Sequence, residues 1–280
     1  MGGLIGPAGG MVHVPFTSSE PEEVESRSTY SKALSGRVTE QRGSRSRRTW
    51  SCSVEVARPD DHHMLDQIAD GLLGDGPHIW YSASARVTNV LTPAQSKFTE
   101  DTWAGGAQGG AGEASGEVPY ARSYTAGLAE QMELVGLVPV PKGMPTTVSV
   151  YISTHPASPA MLYVDEVDPE GRVVGGSVQP TRALVDTHQV SVAANQHAQR
   201  AIVTFTPSVR TVALRVRVVG ALMLTMPAVT FTHRAMRWAT GRGCLTASLN
   251  LTGRDPSLAQ ESADGWGSRE SSTFTIHELG

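Results

Sequence analysis

The sequence predicts a mainly β protein with two domains, one short α-helix and a second domain of sandwich or jelly-roll type. Three observations lead there. Short segments of alternating apolar and polar residues recur through the chain, the period of half-buried strands. One stretch alone, Met64, Leu65, Ile68, Ala69, Leu72 and Leu73, repeats its apolar positions with helical spacing. The chain has 280 residues, a length that suggests about two domains of ordinary size.

Residues 1–20 are Gly-rich and then alternate, which predicts a mobile start followed by one strand. Pro21 to Ser28 is acidic and polar and reads as a loop, with a strand expected over 29–41. Trp50, Cys52, Val54 and Val56 alternate with Ser51, Ser53 and Glu55, so a strand is predicted there, with Cys52 as a small buried hydrophobe. Pro59-Asp60-Asp61 opens the helix with acidic first-turn residues, and Gly74-Asp75-Gly76-Pro77 closes it. An aromatic strand follows, and composition changes after Pro93.

Gly105 to Gly112 reads as a linker or surface loop, because its flanks lack the strand and helix that a phosphate-binding loop needs. From Tyr120 to Thr232 the signals are almost all β. Thr147 to Ile152, Ala201 to Thr206 and Val212 to Val218 alternate, and Met161 to Val174 reads as a hairpin turning at Asp168-Pro169-Glu170-Gly171. Leu245 to Leu251 is a strand, Thr252 to Ser271 a polar loop, and Thr273 to Leu279 a closing strand. A terminal strand of this kind is expected to pair into a sheet.

Composition excludes several functions. A net charge of −4 argues against general nucleic-acid affinity. No apolar run approaches the ~18 residues of a membrane span, so membrane insertion is not expected. The start lacks the basic region of a signal peptide. Two isolated cysteines make neither a disulfide framework nor a zinc site. His155, His188 and His197 lack metal-ligand spacing, and Asp165, Glu166 and Asp168 read as turn carboxylates rather than a calcium site. There is no nucleophile elbow and no nominable acid pair, so no catalytic residue, cofactor or metal is expected. His62 and His63 read as solvent-facing residues at the helix start.

Two groups remain as candidate binding residues. The run Arg42-Gly43-Ser44-Arg45-Ser46-Arg47-Arg48 lacks interleaved aromatics, so it reads as a charged loop or one side of a subunit contact. Arginine suits such contacts through its bidentate geometry toward carboxylates. Trp103, Tyr120, Tyr124, Tyr151 and Tyr163 are the aromatics that could stack on sugar rings, each with core packing as the alternative.

Several stretches together resemble minor tail proteins of siphophages that infect actinobacteria, of the distal-tail type. They are Arg48 to Ser51, Gly74 to Pro77, Thr88 to Pro93, Arg200 to Pro207, Pro227 to Thr230, Trp238 to Cys244 and Phe274 to Gly280. The resemblance implies a non-enzymatic virion protein that forms a ring, commonly a hexamer, at the tail tip. Its expected neighbours are copies of itself, the tail tube protein, the tape measure protein and the tip or hub proteins. It implies a β-sandwich or barrel-like ring domain from residues 1–96 with 233–280, in which Thr273 to Leu279 should return to the sheet containing Trp50 to Val56, and an inserted galectin- or carbohydrate-module-like jelly roll at 97–232. Arg42, Arg45, Arg47 and Arg48 are then expected at a subunit interface, facing Glu20, Glu22, Glu23 and Glu25 of the next copy. A carbohydrate-binding module that recognises host cell-wall glycan through the 97–232 domain is the alternative.

Overall fold

A computed structural model gives the fold and describes residues 2–14, 22–25, 28–32, 35, 38–42, 47–57, 59–74, 77–99, 102–105, 107–111, 122–125, 131–170, 173–174, 186–194, 197–262 and 265–279. The protein is mainly β, built from antiparallel sheets. In chain order come β1 (Leu4–Gly6), β2 (Val12–His13), β3 (Glu22–Glu25), β4 (Ser28–Lys32), β5 (Val38–Arg42) and β6 (Arg47–Ala57). Helix α1 (Pro59–Ala69), β7 (His78–Tyr81), α2 (Ala83–Thr88) and α3 (Pro93–Lys97) follow. Next are β8 (Trp103–Ala104), β9 (Ala107–Ala111), β10 (Arg122–Thr125), β11 (Gln131–Leu134), β12 (Val138–Pro139), β13 (Thr146–Thr154) and β14 (Ala160–Val167). The chain ends with β15 (Val173–Val174), β16 (Thr187–Val192), β17 (Gln199–Phe205), β18 (Ala213–Val219), β19 (Ala221–Thr230), β20 (Cys244–Ser262) and β21 (Gly265–Glu278). Two compact units divide it: residues 1–7, 12–80 and 245–280, and residues 8–11 and 81–244.

The first unit is a sheet in the order β2-β1-β7-β20-β21-β6-β3, with β4 and β5 paired separately. The closing strand lies beside the tryptophan strand, with Phe274 opposite Cys52 and Ile276 opposite Trp50. The inward pleat of both strands is apolar, so Trp50, Cys52, Val54, Phe274 and Ile276 are all buried, as are Leu65 and Ile68 of α1. Trp50 and Trp80 meet edge to face with centroids 6.3 Å apart.

Five expectations for this unit are corrected, the first being the single strand expected over 29–41, where β4 and β5 instead pair antiparallel with Ser28 opposite Arg42. The Gly-rich start is no mobile tail: Leu4 and Ile5 are buried in β1. Gly2 is required there, since an added Cβ would lie 1.8 Å from the Val14 carbonyl oxygen. The acidic segment expected as a loop forms β3, whose Glu25 lies opposite Arg47 in the same chain. Helix α1 stops at Ala69, because Gly71 takes φ +72° one turn before the predicted stop, and Leu72 is left 72% exposed. The polar loop expected over 252–271 is the far part of the β20–β21 hairpin, whose backbone pairs as far as Ser262 opposite Gly265. Polar sequence hid this strand pair, whose hydrogen bonds come from the backbone and need no apolar face.

The second unit is a sandwich of two sheets, β17-β13-β19-β10-β9 and β15-β14-β18-β11-β8, with β16 on β14 and β12 on β18. Val148, Val150 and Ile152 of one sheet and Leu162, Val164, Leu214, Val216 and Val218 of the other are buried, so the apolar pleats form the core. The supposed linker Gly105 to Gly112 contains β9, held by backbone pairing to β10, with Tyr124 opposite Gln108. The hairpin read over 161–174 is present, with Val167 opposite Val173. Between Ser149 and Tyr151 the β13–β19 register shifts, and Met226 in that bulge takes φ +52°.

Candidate binding face

The two outer faces of the sandwich differ. Strand β13 is buried along its whole length, outer pleat included. The segment after β19 covers it: Thr147 Oγ1 donates to the Thr232 carbonyl at 2.7 Å, Arg200 Nη2 donates to the Met236 carbonyl, and Trp238 packs against Tyr151 and Met226. Asn89 ties this cover down. Its Nδ2 donates to the Pro227 and Ala239 carbonyls, each at 3.0 Å, and its Oδ1 accepts from the Leu91 and Val229 amides at 3.2 and 3.1 Å. A fully buried amide is thereby satisfied at both ends.

Two short helices present Asn89. Ser82 caps α2 by accepting from the Ala85 amide, and Thr92 with Gln95 forms a capping box on α3, with Pro93 in its first turn. Sequence reading missed both helices, although Thr-Pro-x-Gln matches the helix-start pattern.

The outer face of the other sheet is open. One row crosses it as Gln189, Tyr163, Arg217 and Glu133, and the next as Thr187, Asp165 and Arg215. The Arg217 guanidinium lies 4.2 Å from the Tyr163 ring centroid and its Nε donates to Asp165 at 2.9 Å. Thr187 Oγ1 donates to the same carboxylate at 3.0 Å. Arg215 grips Glu133 through two bonds of 2.5 and 2.6 Å, and this hydrogen-bonded partner holds the Glu133 carboxyl below its ordinary range and raises the guanidinium. A half-exposed aromatic ring in a row of paired polar groups can lie against an apolar sugar face while its neighbours bond hydroxyls.

The candidate aromatics are thus dispersed. Tyr163 is on the open face. Tyr151 is only 6% exposed, under the cover and beside Arg200, whose guanidinium is 5.5 Å from its ring. Trp103 is a core residue, 5% exposed, tilted against Phe98 at 5.2 Å and donating its Nε1–H to the Gln95 carbonyl. Its ring offers no surface for stacking. Tyr124 lies opposite Leu224 in β10, and Tyr120 lies outside the described residues.

The arginine run is likewise divided. Arg48 is buried, bonded through Nε and Nη2 to Glu278, both at 2.8 Å, and stacked over Trp50 at 5.0 Å. Its charge is matched within its own chain. Arg47 is exposed, Arg42 lies in β5 opposite Ser28, and Arg45 falls outside the described residues.

His188 and the three carboxylates serve the fold, but Asp165 and Glu166, expected in turns, lie within strand β14, and of the three only Asp168 is in a turn. Buried Glu166 accepts from the Ser208 amide and the Thr211 hydroxyl and lies 2.9 Å from His188, whose ring stacks on Phe205. Burial pushes this carboxyl up, but the His188, Thr211 and Ser208 bonds outweigh it and hold it below its ordinary range. Asp168 closes its turn by accepting from the Glu170 amide. Among the described residues no group of three or more His, Cys, Asp or Glu is placed to hold a metal ion.

No protein-family model and no curated protein sequence matches the chain. Among solved structures it is similar to the enzymatically active domain of tailspike protein 4 of bacteriophage CBA120, at 8% identity and TM-score 0.39, over 51% of this chain and 21% of that one. It is similar to the CBM22-1–GH10 modules of the Clostridium thermocellum endo-1,4-β-D-xylanase 10B, at 9% identity and TM-score 0.34, over 52% and 28%. A structure from work on promiscuous carbohydrate-binding modules of the β-sandwich superfamily is similar at 9% identity and TM-score 0.33, over 82% and 91%. The chain spans about a fifth and a quarter of the first two structures it matches.

Proposed function

We propose that this protein is a non-enzymatic structural component of a phage tail tip, assembling with copies of itself into a ring that joins the tail tube to the tip and host-recognition proteins. The observation that carries the reading is the far half of the β20–β21 hairpin. Strand β6 follows β21 only as far as Ala57 opposite Glu270, while the hairpin continues through Ser257–Arg269 and Glu261–Trp266 to Ser262–Gly265. Over that length no other described strand pairs with β21. A two-stranded ribbon with an open edge is marginal alone and gains most from a neighbouring chain that completes its hydrogen bonds. Electron microscopy of the purified protein, alone and on tails, tests this. Closed rings at the tail tip are expected, and a protein that stays monomeric and is absent from tails overturns it.

The row around Tyr163 favours a second activity of the same protein, recognition of host cell-wall glycan by the open sandwich face. Retention of the full chain on purified cell wall, lost in Tyr163→Ala while that variant stays folded with at most a small drop in thermal stability, is the expected result. Equal retention of both forms removes this reading.

A further inference from the structure

In the first unit a hollow of about 570 Å³ opens between the end of α1, the start of β20 and Leu279. Ile68, Pro77, Leu249 and Leu279 make its apolar walls. Its polar character is one-sided. The last turn of α1 carries no basic residue, and the exposed Asp70 follows it directly, so a carboxylate adds to the negative end of the helix dipole. His78 also lines the hollow, is 6% exposed, and has an Nδ1 buried with no hydrogen-bond partner among the described residues. Burial favours its neutral form, which can accept a hydrogen bond. Apolar walls, a carboxylate, a helix C-terminus and an unused imidazole nitrogen suit a long side chain with a cationic tip.

The chain is rich in that side chain, with 20 Arg and 3 Lys. In the 42–48 run Arg48 is consumed by Glu278 and Arg47 is exposed. Successive residues of a strand point to opposite faces. Arg48 shares the inward pleat of β6 with Trp50, so Arg47 projects from the other pleat, with Glu25 across from it on β3. A contact repeated head to tail from copy to copy generates rings or filaments rather than closed pairs.

We propose that this hollow is the receptor for Arg47 of a second copy of the chain. The inference rests on the ring reading and gives it a specific interface.

Self-association of the full chain, measured by sedimentation velocity, tests the contact in four proteins: wild type, Asp70→Arg, Arg47→Asp and the double variant. Both residues are exposed, so all four should fold, with thermal melts as the control. Each single variant should weaken assembly about tenfold, and the double variant should recover most of that loss. The His78 imidazole signals should shift on assembly of the wild type and not in Asp70→Arg. A wild type that assembles while the single variants assemble equally well overturns this contact and leaves the ring reading standing. Single variants that both weaken assembly, with a double variant no better than either, overturn the pairing of these two residues. A wild type that never assembles removes the ring reading and this inference together.

Discussion

Tyr151 and Tyr163 have similar surroundings on the two sheets of the sandwich, and opposite fates. Each lies in a long strand, with an arginine directly across on the next strand and its guanidinium within 6 Å of the ring, at 5.5 and 4.2 Å. Tyr151 is covered by the segment after β19, whereas Tyr163 is half-exposed. The strand pattern does not separate them. What separates them is a stretch some eighty residues downstream in sequence that folds back over one sheet and not the other. A sandwich has two outer faces, and a chain that closes one leaves the other as the surface available to a partner.

The largest effect should come from breaking this contrast directly. Tyr151→Ala removes a buried ring and should cost about 3–4 kcal/mol of stability, whereas Tyr163→Ala should cost about 1 kcal/mol or less. Chemical denaturation of the two variants checks this, and equal losses would mean that the cover does not bury Tyr151. Asn89→Ala comes next. It leaves the Val229 and Leu91 amides and the Pro227 and Ala239 carbonyls without their partner, a loss of about 3 kcal/mol. Faster amide exchange should then appear at Val229 and across residues 232–242. Unchanged exchange there would show that the cover is held without Asn89.

How much of this was legible in the sequence follows the same division. Trp50 to Val56 and Thr273 to Leu279 announced their strands through one apolar pleat each, while their pairing, in the single register that buries both pleats, was expected only from the domain map that the resemblance implies. The sandwich strands were legible for the same reason. The cover was not, since residues 231–243 have no regular structure and are held by bonds from Thr147, Arg200 and Asn89, none of which leaves a periodic mark. Glu22 to Glu25, Ala107 to Ala111 and the far hairpin were missed because backbone pairing alone holds a polar or Gly-rich strand. The candidate aromatics illustrate the limit: alternation can say that a tyrosine faces out of a sheet, not whether something lies over it.

The acid response separates an inner carboxylate from one on the open face. Glu166 is held ionised inside the sandwich, and Glu133 on its open side, both with carboxyls below the ordinary value of 4.5. A depressed folded value means that the stabilisation is complete above the unfolded value and is lost as pH falls through the folded one. Thermal stability should therefore decline below about pH 4.5. Glu166→Gln should flatten much of that decline, and an identical acid limb in the variant would place the cause elsewhere.

The smallest effect belongs to Arg215 and Glu133. Their side chains are 36% and 29% exposed, so water screens the pair despite its two short bonds. Replacing either by Met should cost at most about 1 kcal/mol, and the double replacement should cost no more than the sum. The coupling between them should shrink further in high salt. A coupling well above that, insensitive to salt, would mean the face is shielded from solvent. The open side of the sandwich would then be covered too, and the contrast between Tyr151 and Tyr163 would not hold in solution.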